Sequence, residues 1–109
     1  MTLFAWADAN VDDYVGGMWE TVQITDTLGY RRLRTDKDKL TIHNKGAFWS
    51  KEVSTDCMGI VATLCAINHA LWSIAGSEEC KTLTKLFYRL RDWALVNHPE
   101  ATDISMALD

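Results

Sequence analysis

The alternation of apolar and polar residues divides the chain into a short helical start, a strand-rich first half and a helical second half. Leu3, Trp6 and Ala7, with Val11 or Tyr14 beyond them, recur at helical spacing and predict a short helix within Thr2 to Tyr14. Gly16-Gly17 breaks it. Met18 to Thr25 (MWETVQIT) then alternates and is rich in β-branched and aromatic residues, which predicts a strand. Thr27-Leu28-Gly29 reads as a turn, followed by strands at Tyr30 to Arg34, Lys39 to His43 and Ala47 to Val53. Lys37-Asp38 and Asn44-Lys45-Gly46 have turn composition between them. Four short strands with short connections imply one antiparallel sheet.

The period then changes from two to 3.6. Ser54 or Thr55 is placed to cap a helix, with Asp56 in the first turn, where a carboxylate meets the positive end of the helix dipole. Cys57, Ile60, Val61, Leu64, Ile67, Leu71 and Ile74 form its stripe, flanked by Met58, Cys65 and Trp72. So much apolar circumference predicts a central, buried helix, which Gly76 ends. Ser77 caps the next, with Glu78 and Glu79 in its first turn and Leu83, Leu86, Phe87, Leu90, Trp93 and Ala94 as its core side. Asn97 can adopt the terminating left-handed conformation, and Pro99 starts a last short helix to Leu108. The expectation is a single α+β domain over residues 1–109: one four-stranded antiparallel sheet, then helices packed on it.

Composition adds little except through its asymmetry. The chain has 109 residues, 48% of them apolar, and a net charge of −4, ordinary for one globular domain. No apolar run approaches the ~18 residues of a membrane span, and the start lacks the features of a signal peptide. Three cysteines, two on one helical pattern, favour reduced thiols and a cytoplasmic setting over a disulfide framework. Between Gly29 and Lys51, however, seven basic residues stand against two acidic ones, an excess of +5 that leaves −9 for the remainder. A weakly acidic chain with a basic middle cannot imitate the dense charge of DNA, about one per 1.7 Å of axis.

No glycine-rich phosphate loop and no G-x-S-x-G elbow is present. Cys65 and His69 share a helix face and are a thiolate–imidazole candidate for zinc or nucleophilic chemistry, but on so apolar a helix they read as packing residues. Asp12-Asp13 and Asp36/Asp38 lack metal-ligand spacing and read as cap and turn residues. No metal and no cofactor is therefore expected. Of five tryptophans, Trp72 and Trp93 fall on or beside helix stripes and read as core; Trp19 and Trp49 are open, with Trp19 a candidate for the outer sheet face beside Thr21 and Gln23. With Arg31, Arg32 and Arg34, exposed aromatics would make a stacking platform for single-stranded nucleic acid. The same arginines equally read as charges guarding an edge strand.

Three segments carry a family resemblance. Asp13-Tyr14-Val15-Gly16-Gly17-Met18-Trp19-Glu20 resembles the D-Y-x-G-G-x-W-x approach to the sheet of KlcA/ArdB antirestriction proteins, and Gly29-Tyr30 looks like the Gly-aromatic step that follows it. Glu52 to Leu64 (EVSTDCMGIVATL) is similar to their E-x-S-A-D-A-x-G-I-V-x-T-L helix start, with Thr55 in place of the common Ala. Leu90-Arg91-Asp92-Trp93-Ala94, His98-Pro99-Glu100 and Ala107-Leu108-Asp109 resemble their tail. Members of the family have a longer segment before the sheet, and the chain reads as a short form without it. The resemblance implies an α+β fold with one antiparallel sheet. It also implies protection of incoming plasmid or phage DNA from type I restriction in a bacterial cytoplasm. The weak acidity then points to a non-enzymatic inhibitor that binds a host protein, such as the restriction complex, rather than to DNA mimicry. Arg31, Arg32, Arg34 and Trp49 are the candidate contacts, with Arg91 and Asp109 as further surface positions. The alternative is a small nucleic-acid-binding module using the same basic and aromatic residues.

Overall fold

The computed structural model describes residues 3–108. In chain order it contains α1 (Leu3–Asn10), β1 (Trp19–Thr25), β2 (Leu28–Leu33), β3 (Lys39–Asn44), β4 (Trp49–Ser54), α2 (Thr55–Ser73), α3 (Glu78–Asn97) and α4 (Ala101–Leu108). A 3₁₀ turn at Lys45–Ala47 links β3 to β4, capped by the Asn44 side chain, with Phe48 in the left-handed conformation (φ 52°) beyond it. The helix caps follow the sequence: Ser54 Oγ accepts from Cys57 N–H at 3.0 Å, and Ser77 Oγ from Cys80 N–H at 3.2 Å. Asn97 stays helical and His98 ends α3 in an extended conformation.

The α+β class stands, but the single four-stranded sheet does not. Among the described residues β1 pairs with β2 and β3 with β4, both antiparallel, and no strand joins the two hairpins. The physical reason lies on the far side of β2. There the Arg31 N–H, which a neighbouring strand would accept, donates instead to Thr63 Oγ1 of α2 at 2.9 Å. At Gly59, α2 comes so close that a Cβ would stand 2.4 Å from the Arg31 carbonyl oxygen. A helix has taken the place of the third strand. The β3–β4 hairpin is held elsewhere. The Val11 segment runs along β3, with Asp12 N–H on the Thr41 carbonyl at 2.9 Å. α4 docks on it through Lys51–Asp103 at 2.9 Å and through Asn44, whose amide donates to the Met106 and Ala107 carbonyls.

The core forms around the first half of α2. Cys57 to Ala62 and Leu64 are buried against Tyr30 and Leu33 of β2, Ile42 and Val53 of the second hairpin, Trp6 and Ala7 of α1, Leu90 and Ala94 of α3, and Ile104 of α4. The second half of α2 leaves this body, so the stripe read from sequence is only half core. Trp72, expected inside, is 79% exposed, because it lies in the last helical turn beyond the packed layer. Trp19, a candidate for the open sheet face, is instead 8% exposed. Phe4 meets its ring edge-on at 6.1 Å, and its indole N–H donates to Tyr14 Oη at 3.2 Å. Residues from outside the sheet cover a face that the strand's own alternation leaves polar.

Candidate functional site

Alternation along β1 and β2 puts Glu20 opposite Arg32 and Val22 opposite Tyr30, on one face of the first hairpin. That face meets the start of α2, where the Ser54 cap fixes Asp56 in the first turn. Asp56 is the hub. One carboxylate oxygen accepts from Tyr30 O–H at 2.6 Å and from the Arg32 guanidinium at 3.1 Å. The other accepts from His98 Nε2 at 2.8 Å. Arg32 also clasps Glu20, with Nε at 3.1 Å and Nη2 at 2.9 Å from the same oxygen. Beyond His98, the Glu100 N–H donates to His98 Nδ1 at 3.0 Å, while the Glu100 carboxylate accepts from Ser54 N–H at 3.0 Å and pairs with its hydroxyl. Because Nδ1 is an acceptor, the ring carries its proton on Nε2, aimed at Asp56.

The cluster is half-buried: the Asp56 side chain is 29% exposed and that of His98 7%. Burial is the largest single influence on the Asp56 carboxyl and raises its pKa, but the Tyr30, His98 and Arg32 donors together outweigh it and hold the group below its ordinary value. Burial, then the bond to Asp56, pushes the Tyr30 phenol upwards. The Glu20 bond is the largest influence on Arg32 and raises it further. Near neutrality Asp56 is thus ionised while Tyr30 and Arg32 keep their protons. Among the described residues no buried side-chain nitrogen or oxygen lacks a partner, and these bonds clamp β1–β2, the head of α2 and the α3–α4 junction together. Sequence reading placed Asp56 only at a helix start and did not find Tyr30, Glu20, His98 or Glu100 as its partners. The signal available was the hairpin register, which sets Glu20 and Arg32 on the same face as Tyr30.

The sequence candidates lie apart. Arg32 is committed to Glu20 and Asp56. Arg31 and Arg34 are exposed; Arg31 reaches Thr21 Oγ1 at 3.5 Å, and Arg34 lines a hollow of about 190 Å³ beside Tyr14 and Asp36. Trp49 lines another of about 370 Å³ with His43 and Phe48, and packs partly on the core. Arg91 sits over the Tyr88 ring at 5.7 Å, beside a 220 Å³ hollow with Ser105 and Leu108. Asp109 lies outside the described residues. No bond joins the half-buried Cys65 to the exposed His69, and among the described residues no group of three His, Cys, Asp or Glu is gathered as a metal would require. Burial pushes the Cys57 thiol up to about 12 and the Cys65 thiol to about 11. Thiolates being the reactive form, an alkylating reagent at neutral pH is expected to modify Cys80 first and Cys57 and Cys65 only on unfolding, as peptide mass mapping would read. Fast labelling of Cys65 in the folded chain would contradict this placement.

Known proteins match this chain along nearly all its length. The family profile described as "Antirestriction protein" matches residues 12–109. The putative antirestriction protein YubI of Escherichia coli K12 is 34% identical over 111 residues, covering 98% of this chain and 76% of that one. The antirestriction protein KlcA of Escherichia coli is 32% identical over 107 residues, covering 98% and 74%. A solved structure from work on the KlcA and ArdB proteins superposes with a TM-score of 0.86 at 31% identity, over 98% of this chain and 74% of that chain. That work describes a novel fold and antirestriction activity against type I DNA restriction systems in vivo but not in vitro. Apart from Arg32, the residues that converge on Asp56 lie in segments where the sequence resembles KlcA and ArdB, and profile, relatives and fold agree: the chain belongs to the antirestriction protein family.

Proposed function

We propose that this chain protects DNA from type I restriction in the bacterial cytoplasm by binding a component of the host cell, without chemistry of its own, on behalf of a plasmid, phage or other mobile element. The observation that carries this reading is the structural match, at a TM-score of 0.86, to a protein active against type I systems in vivo but not in vitro. An inhibitor that acts in the cell and fails with purified components is most simply one that needs a further cellular partner. The electrostatics fit binding better than mimicry of DNA, since a net charge of −4 interrupted by a basic middle gives a mixed surface. The groups that would do acid–base work, Asp56, His98 and Tyr30, are spent on one another. Arg31 and Arg34 remain the exposed basic positions of the first hairpin and the proposed contacts. Arg32 is left out because its side chain holds the fold.

The test is the plating efficiency of unmodified phage on a type I restricting host with and without this chain. The native chain should raise it. An Arg31→Ala/Arg34→Ala chain, folded and equally abundant, should raise it less. No rise with folded native protein in the cells would overturn the reading. Full protection by the double variant would move the contact away from the first hairpin.

A further inference from the structure

We propose that β1 is a self-pairing edge, through which two copies of this chain join their first hairpins into one four-stranded antiparallel sheet about a two-fold axis at Thr21. The direction of each backbone group follows from two bonds. Arg34 N–H donates to the Met18 carbonyl at 2.8 Å, which makes Met18–Arg34 a hydrogen-bonded pair. Arg31 N–H points away from β1, to Thr63, which makes Thr21–Arg31 a non-bonded pair. Antiparallel pairs alternate between these two kinds. Hence Trp19, Thr21 and Gln23 all aim their N–H and C=O out of the hairpin, along the free side of β1. Among the described residues no other strand pairs with that side.

Such an edge is usually guarded by Lys, Pro, a covering segment or a short strand. The other hairpin follows that rule: on the free side of β4 the Ser54 N–H is taken by Glu100, and exposed Glu52 stands on the strand. β1 carries no Lys and no Pro, and its register slip, a bulge of the kind that also guards edges, comes only near its end, between Gln23 and Thr25. The strand is seven residues long (WETVQIT), and its one charge, Glu20, is already neutralised by Arg32.

The occupant follows from the register. A two-fold axis at Thr21 sets Trp19 opposite the partner's Gln23 and Thr21 opposite the partner's Thr21, so each outward group finds its complement. On the other face Glu20 falls opposite the partner's Val22, never opposite another carboxylate. Like charges directly opposed would disfavour pairing, whereas β-branched pairs favour it. The outward backbone groups of a second copy are thus complementary to those of this edge. The contact is smaller than the ~800 Å² per partner of a standard interface, which places it among the weak associations.

Sedimentation equilibrium of the full chain from ~10 µM to ~1 mM tests this. The mass should move from that of one chain towards that of two. Amide exchange at Trp19, Thr21 and Gln23 should slow about tenfold where ~90% of chains are paired. Thr21→Lys, which opposes two ammonium groups across the axis at an exposed position, should weaken association about fivefold, and Thr21→Val should strengthen it. A chain that stays monomeric throughout would overturn the proposal. So would a dimer whose strength ignores both substitutions and whose β1 amides exchange independently of concentration. Thr21→Val keeps the test open should Thr21→Lys fail to fold.

Discussion

Replacing Gly59 by alanine is expected to lower the unfolding midpoint by ~10 °C or more, although alanine is the better helix former. Inside a helix the exchange favours alanine by about 1 kcal/mol. Against that, the new Cβ would stand 2.4 Å from the Arg31 carbonyl oxygen and 3.0 Å from Arg32 Cα. Both are backbone atoms of β2, so no side chain can turn aside. The hairpin must back away from α2 instead. That retreat stretches the Arg31 N–H bond to Thr63 and draws Tyr30 and Arg32 from Asp56. Overpacking of this kind costs about 1–3 kcal/mol and more where a hydrogen-bonded strand must move. The loss of bonds at Asp56 adds to it, so a net destabilisation of about 2–3 kcal/mol wins over the helical gain. For a domain of this size each kcal/mol is worth about 4–8 °C. Gly46→Ala serves as the comparison, since its nearest neighbour would be the Asn44 side chain at 3.7 Å, and its midpoint should hardly move. Thermal unfolding followed by circular dichroism reads both. A Gly59→Ala chain as stable as the native one would mean that β2 does not cross α2 where described.

Gly59 also marks where reading the sequence succeeds and where it stops. The strands, the long helices and the Ser54 and Ser77 caps were legible because each depends on neighbours a few residues apart. The arrangement of the hairpins was not. Four alternating segments look alike whether β2 continues into a sheet or ends against a helix, and the deciding residues, Gly59 and Thr63, come about thirty positions later. The same locality explains the tryptophans. A stripe on α2 gives the direction of Trp72 but not where the packed body ends, and polar Thr21 and Gln23 conceal that Phe4 and Tyr14 cover Trp19. For the site, the family resemblance picked out the segments around Asp56 and His98, yet nothing in either segment says that they touch. Composition singled out three neighbouring arginines as one basic surface. The fold separates them, turning Arg32 inward to two carboxylates and leaving Arg31 and Arg34 outside.

Asp56→Asn is expected to destabilise the chain by about 2 kcal/mol at neutral pH, and to lose that deficit in acid. The amide has nearly the carboxylate's shape, so the cause is the lost charge and the lost acceptor rather than the fit. With its oxygen towards Tyr30 and Arg32, its NH₂ faces the Nε2–H of His98, donor against donor, and the ring cannot exchange its proton because Glu100 N–H occupies Nδ1. Turned the other way, the NH₂ faces the Arg32 guanidinium, which has no acceptor to offer. Either way a partly buried donor loses its partner, and Arg32 keeps Glu20 as its one carboxylate. Full burial would cost about 3–5 kcal/mol; with Asp56 29% exposed, water recovers part of it. The pH dependence has a definite sign. The folded carboxyl titrates below its ordinary value, so its contribution is complete above an unfolded pKa of about 4 and disappears as pH falls through the lowered native value. Asparagine has no such proton to take up. Urea unfolding at pH 7 and at pH 3 should therefore show a gap between the two chains that narrows in acid. A gap that stays constant would mean that the Asp56 charge does not hold the cluster together, and that its fit alone does.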